Sequence, residues 1–368
     1  DAELVGRLRA AGAVTLGKTN VPYGCLDMQT FNQVFGTTVN PYDESRTCGG
    51  SSGGSCAAVS SGLVPLAVGS DLGGSLRVPA SFCGVSAYKP TARRIPPLGH
   101  VPRIYCLQNN LTLGAVANSV DMLEKFMIAA CQGPGMLGMP GKAFVPLEPP
   151  APGDIRVLFT SSLADAPTEV AVVQAMEAFA SKLEASGVEV VHGFPDLDSK
   201  ALFRAHKLQA ELCTAVTSPG PNPLSRPQPD KSPSAAQLAS AEEVREEARA
   251  KVDAALGTKR FSVWVMPTCG VLPFPHNPNH DAILVDGKEY PYWQPLLGYC
   301  FQAAACGNPT ATIPIGMVGH LPIGAQIIGR LWEDEELMAV SRVLEGVVAG
   351  AVPKPALHAF PLEEDTES

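Results

Sequence analysis

Apolar residues along this chain recur at helical and strand spacings by turns. Leu4, Leu8 and Ala11 share one face of a helix over residues 2–11, Gly12 closes it, and the apolar run AVTLG (13–17) then reads as a strand. Further on, SCAAVSSGLVPLAVG (55–69) reads as one long helix, and Asn118–Ala130 as another. Ile155–Phe159 predicts a strand, 167–186 an amphipathic helix, and VEVVHGF (188–194) a second strand. A helix over 241–255 precedes FSVWVMPT (261–268), whose near-continuous apolar character is that of a strand buried on both faces. ATIPIG and LPIGAQIIG follow as strands in a C-terminal unit over about 307–348, and 334–348 as the last helix. Strands that alternate with helices in this way predict an α/β fold, a large mixed or parallel sheet covered by helices on both faces, in one domain over residues 1–368. The stretch 218–234, with prolines at 219, 221, 223, 227, 229 and 233, reads as a surface loop.

Composition narrows the function classes. Charged residues are 17% of the chain and hydrophobic ones 45%, the balance of a folded enzyme rather than a disordered chain. The net charge of −9, with no Lys/Arg-rich run, excludes phosphate-backbone binding as the main role, so no nucleic-acid partner is expected. Ten cysteines without a CxxC pair read as reduced thiols, which points to a cytoplasmic protein. No apolar run has the length of a spanning helix, so no membrane role is expected. The text opens at Asp1 within a helical pattern, so a segment upstream of it is expected.

Three segments carry candidate chemistry: LGKTN around Lys18, CGGSSGGSC around Ser51 and Ser52, and GSDLGGSLR around Ser75. The Gly73-Gly74 pair before Ser75 lets consecutive backbone N–H groups converge on one point, as an oxyanion hole requires. A serine hydroxyl is a weak nucleophile until a base takes its proton. The seven histidines all lie outside these segments. Lysine serves as a base when burial disfavours its ammonium form, and Lys18, after an apolar run, is the candidate; a surface lysine at a strand end fits the same residues.

Read together, AGAVTLGKTNVP, GGSSGGS and AVGSDLGGSLRVPASFCGVSAYKPT resemble the amidase signature family of C–N hydrolases, contiguously over residues 2 to 91. The resemblance implies a Ser–cisSer–Lys triad of Ser75 as nucleophile, Ser51 as the cis-peptide serine and proton relay, and Lys18 as base. Ser51 and Ser75 stand 75 − 51 = 24 positions apart, as the family spacing requires. It further implies an oxyanion hole from the N–H groups of Leu72, Gly73, Gly74 and Ser75, with Ser52, Asp71 and Arg77 in support. YPYWQPL (290–296) and NSVDMLEKFM are similar to an acetamidase-like, general amidase branch. The chain departs from the family pattern at AYKPT (87–91), where GLKPT is usual, and at GAVAN (114–118), where GPMAR is usual. Both departures concern pocket shape and packing, and family members also carry several tens of residues before the opening helix.

The implied activity is hydrolysis of a small-molecule carboxylic amide through an acyl-enzyme, without cofactor or metal, in a protein that is a candidate homodimer. Its rivals are an esterase or urethanase on the same triad, a glutaminase-type subunit of a tRNA-dependent amidotransferase, and a non-catalytic scaffold. Decoys fail on context. Gly49–Gly53 fits G-x-S-x-G but follows a polar turn, and the glycine run lacks the Gly-Lys-Ser/Thr ending of a phosphate loop. His276 and His280 flank Pro278 without a third ligand, and Cys25, Cys48 and Cys56 read as packing residues.

Overall fold

The computed structural model describes residues 1–100, 110–133, 142–216 and 233–355, so most of the predicted loop 218–234 lies outside the described residues. Two ribbons come first, β1 (Phe31–Asn32) with β2 (Gly36–Thr37) and β3 (Val39–Asn40) with β4 (Asp43–Thr47). The main sheet holds β5 (Leu66–Asp71), β6 (Ser86–Lys89), β7 (Thr112–Ala117), β8 (Ile155–Phe159), β9 (Glu189–His192) and β10 (Phe261–Pro267). After the ribbon of β11 (Ile283–Val285) and β12 (Lys288–Tyr290), β13 (Thr310–Val318) and β14 (Leu321–Ile328) complete it. Its order is β5-β7-β6-β13-β14-β10-β8-β9. Only β10 with β8 and β8 with β9 pair in parallel, so the sheet is mixed.

Alternation along the strands builds two cores. In β10, Val263 and Val265 point into one core while Trp264 and Met266 point into the other. The first face is covered by α1 (Glu3–Ala10), α4 (Val120–Ala130), α5 (Val170–Ala185) and α10 (Asp334–Val347), through such residues as Leu8, Phe126, Phe179 and Leu344. Opposite them pack α6 (Ser199–Val216), α7 (Ala235–Leu256) and α9 (Cys300–Cys306), preceded by the short α8 (Trp293–Leu297). At the β5 end, α2 (Gly53–Ser60) and α3 (Arg77–Phe82) enclose a third apolar cluster with Leu76, Ala87 and Val116. Helices therefore lie on both faces, as the pattern predicted.

Two local expectations are corrected. The helix expected over 55–69 stops at Ser60, because Gly62 turns the chain at φ 71° and Pro65 supplies no N–H, and residues 66–71 become β5. The strand expected at 13–17 does not form. Ala13 N–H bonds back to Leu8 O, and Val14 and Leu16 stand 81% and 75% exposed beside no partner strand. The helix expected to begin at 241 begins earlier, where Ser234 and Gln237 form a capping box that the sequence pattern did not use.

Candidate active site

The Gly/Ser run over residues 49–54 is packed backbone. A side chain on Gly50 would lie 2.7 Å from Gln29 O and 2.8 Å from Asp27 O, so only glycine permits this approach. Thr30 Oγ1 donates to Gly49 O at 2.9 Å, and the Gly50–Ser51 peptide is cis. Ser51 and Ser52 are buried at the entrance to α2, and Ser75 is half-buried on the turn between β5 and α3. The two loops are tied where Ser52 N–H donates to Ser75 O at 3.0 Å, and Ser52 Oγ lies 3.3 Å from Ser70 O. Thus the structure brings the Ser51 and Ser75 segments together at one end of β5.

Asp71 organises the second loop. One carboxylate oxygen accepts from Gly74 N at 2.8 Å and Arg77 Nη2 at 2.7 Å, the other from Leu76 N at 3.1 Å and Arg77 Nε at 2.9 Å. Arg77 is fully buried and also donates through Nη1 to Cys300 O and Gln326 Oε1. Burial alone would raise the Asp71 carboxyl, but the Arg77 charge and these N–H donors overcome it and hold the group well below the usual carboxylate range. Gly74 N–H, one of the expected oxyanion donors, is engaged by Asp71; among the described residues the N–H groups of Leu72, Gly73 and Ser75 make no hydrogen bond.

Lys18 is placed differently from its expectation. Thr19 Oγ1 meets Ser55 Oγ at 2.8 Å, and the Asn20 backbone rests on Gly54, so the chain reaches the first turn of α2 one residue after Lys18. Lys18 itself is exposed and makes no hydrogen bond or ion pair among the described residues. The burial its sequence context suggested is missing because the strand before it has not entered the sheet.

A different lysine is buried. Lys89, within AYKPT, is fully enclosed with one hydrogen bond, 3.2 Å to Pro90 O, and burial followed by the nearby Arg77 charge pulls it down to about 7. The cysteines around the serine loops stay thiols, since burial pushes Cys48 up to about 12 and Cys56 well above its ordinary value. His276 and His280 part company, to Glu44 O at 3.1 Å and to Asp27 Oδ2 at 2.9 Å.

Sequence reasoning missed His206, one of the seven histidines that lie outside the Gly/Ser and lysine segments. This residue of α6 is 7% exposed, and its Nε2 lies 3.6 Å from where a side chain on Gly73 would begin; Leu297 Cδ2 lies 3.7 Å from the same point. The signal available was a polar residue on the apolar stripe of a helix, four positions after the buried Leu202. A cleft of about 590 Å³ lined by Tyr42, Ser60, Arg342 and Glu345 contains none of the predicted site residues.

Comparison with known proteins gives consistent matches. The sequence model of the Amidase family matches residues 1–218 and 221–338. A Glutamyl-tRNA(Gln) amidotransferase chain of Thermus thermophilus is 29% identical over 404 residues, covering 97% of this chain and 80% of that protein. AtzE of Pseudomonas sp. strain ADP, which belongs to a 1-carboxybiuret hydrolase, is 45% identical over 152 residues; these cover 41% of this chain and 32% of that protein, so this match spans about a third of the relative. In three dimensions the chain is similar to a crystal structure of an amidase, with TM-score 0.80, 23% identity and coverage of 95% and 78%.

Proposed function

From the premise that the chain belongs to the Amidase family, we propose that it hydrolyses a carboxylic amide C–N bond of a small molecule through an acyl-enzyme on Ser75. The observation that carries this reading is the Ser52 N–H to Ser75 O bond, which seats the Ser51 loop against the Ser75 loop and leaves three free N–H groups beside the nucleophile. Ser75 Oγ attacks the carbonyl carbon, its proton passes through Ser51 to Lys18, and the oxyanion is held by Leu72, Gly73 and Ser75 N–H. The amine leaves with the returned proton, and water activated along the same route releases the acid and frees Ser75. Every step uses side chains or backbone of this chain.

The reading requires Lys18 to leave solvent. Residues 13–18 lead directly into the segment anchored on α2 by Thr19, so drawing Val14 and Leu16 inward would carry the Lys18 amine towards Ser51 while removing two exposed apolar side chains from water. The same chemistry serves esters and carbamates. A second reading, a glutaminase-type component of a tRNA-dependent amidotransferase, is favoured by the near full-length similarity to the Thermus protein. A cytoplasmic site of action accompanies both.

The test is labelling by a fluorophosphonate together with amide turnover. The wild-type chain should be labelled on Ser75, and Ser75→Ala should lose both label and turnover while melting at an unchanged temperature. Undiminished turnover in Ser75→Ala would remove the nucleophile assignment. Glutaminase activity that appears only with partner proteins would select the second reading.

A further inference from the structure

His206 faces the Ser75 loop at Gly73. Asn110, 1% exposed, contacts it with Nδ2 3.2 Å from His206 Nδ1. An amide nitrogen can only donate, so Nδ1 accepts and the ring proton resides on Nε2. Burial, then the charges of Arg245 and Arg77, pull the imidazole down to about 4, so the ring is neutral near pH 7. Nε2 makes no hydrogen bond among the described residues, although it belongs to a side chain more than nine-tenths buried. Asn110 Oδ1, on the same pair, is also buried without a partner. Nε2 is thus a neutral donor without an acceptor among the described residues, set beside Gly73, which marks the place as fit for a polar ligand.

We propose that His206 is a specificity-determining residue: its Nε2–H donates to a second carbonyl oxygen on the acyl part of the substrate, next to the carbonyl held over Leu72, Gly73 and Ser75. The geometry carries this. Nε2 and Leu297 Cδ2 converge above Gly73, so whatever group flanks the scissile carbonyl there meets one N–H and one apolar wall. An uncharged donor selects an uncharged acceptor. The substrate class is therefore an amide whose acyl chain carries another carboxamide or ureido carbonyl, in preference to a plain hydrocarbon amide.

This inference rests on the amidase reading above, and the experiment separates the two. Malonamide and butyramide, similar in size, are compared by kcat/KM per scissile bond in wild type, His206→Phe and His206→Gln, with melting temperatures recorded for each. Wild type should favour malonamide. His206→Phe should lower malonamide turnover about tenfold, as loss of one neutral hydrogen bond implies, and by more than it lowers butyramide turnover, so that the malonamide-to-butyramide ratio falls. His206→Gln, whose amide keeps a donor, should recover part of the preference. An equal effect on both substrates, an unchanged ratio, or no recovery with glutamine would overturn the role of His206. A protein labelled at Ser75 that cleaves neither substrate would overturn the substrate class alone, whereas one neither labelled nor active would remove the amidase reading itself.

Discussion

Replacing Arg77 with methionine is the most informative perturbation of the loop that presents Ser75. Both members of the Arg77–Asp71 pair have fully buried side chains, joined by contacts of 2.7 and 2.9 Å. Methionine fills much of the space but leaves a carboxylate in the interior facing only two backbone N–H groups, and deprives Cys300 O and Gln326 Oε1 of a donor. Breaking a buried pair from one side costs about 3–5 kcal/mol, and this is the loss expected at pH 8. In wild type the Asp71 value is depressed on folding, so its contribution is complete above the unfolded carboxylate pKa and disappears only as pH falls through the lower folded value. In the variant, burial outweighs the two N–H donors and the Lys89 charge that remain, and the folded value rises above the unfolded one. The fold then binds a proton that the unfolded chain has released, and stability falls as pH rises through the raised value. The deficit of Arg77→Met should therefore be smaller at pH 4.5 than at pH 8, by chemical denaturation followed by circular dichroism. Adding Asp71→Asn to Arg77→Met should recover stability at pH 8. A deficit under about 1 kcal/mol, or one independent of pH, would refute the claim that charge compensation holds this loop.

Gly73 and Gly74 should respond oppositely to alanine. Gly74 has φ 130° and its added carbon would lie 2.9 Å from Cys300 Cβ, so Gly74→Ala should lower stability by about 1–3 kcal/mol. Gly73→Ala meets only ordinary contacts at 3.6 and 3.7 Å and should melt like wild type, yet its methyl occupies the place of the substrate and turnover should fall steeply. Lys18→Ala should leave stability within about 0.5 kcal/mol because the side chain is exposed, while amide turnover drops by about 10²-fold or more; near-normal rates would remove Lys18 as base. Lys89 has a folded value near 7, below its ordinary one, so between about pH 7 and 10 the unfolded chain binds the proton that the fold rejects, and wild-type stability rises with pH. Lys89→Met should flatten that rise, seen as melting temperatures at pH 7 and 9.

Helix and strand identity was largely legible from residue spacing, because α4, α5, α10 and the strands β8 to β10 each carry an apolar face or run long enough to declare its period. The serine loops were legible from composition, since backbone packed as closely as Gly50 against Gln29 O tolerates no other residue. What remained hidden depended on partners far away in the chain. A helix over 55–69 satisfies local periodicity, but β5 exists because β7, more than forty positions later, pairs along it. Whether AVTLG becomes a strand is likewise decided by an available edge, and in this structure it stays outside the sheet and leaves Lys18 in water. The Gly73-Gly74 pair announced convergent N–H groups, yet only the folded loop shows Asp71 taking one of them. His206 reaches Gly73 across 133 positions (206 − 73), a meeting no local pattern encodes. Sequence thus determined the elements and the candidate reactive groups, whose signals are local in spacing and composition; tertiary structure decided which groups are buried, which donors stay free and what faces Ser75, because burial and hydrogen bonding are set by contacts between distant segments.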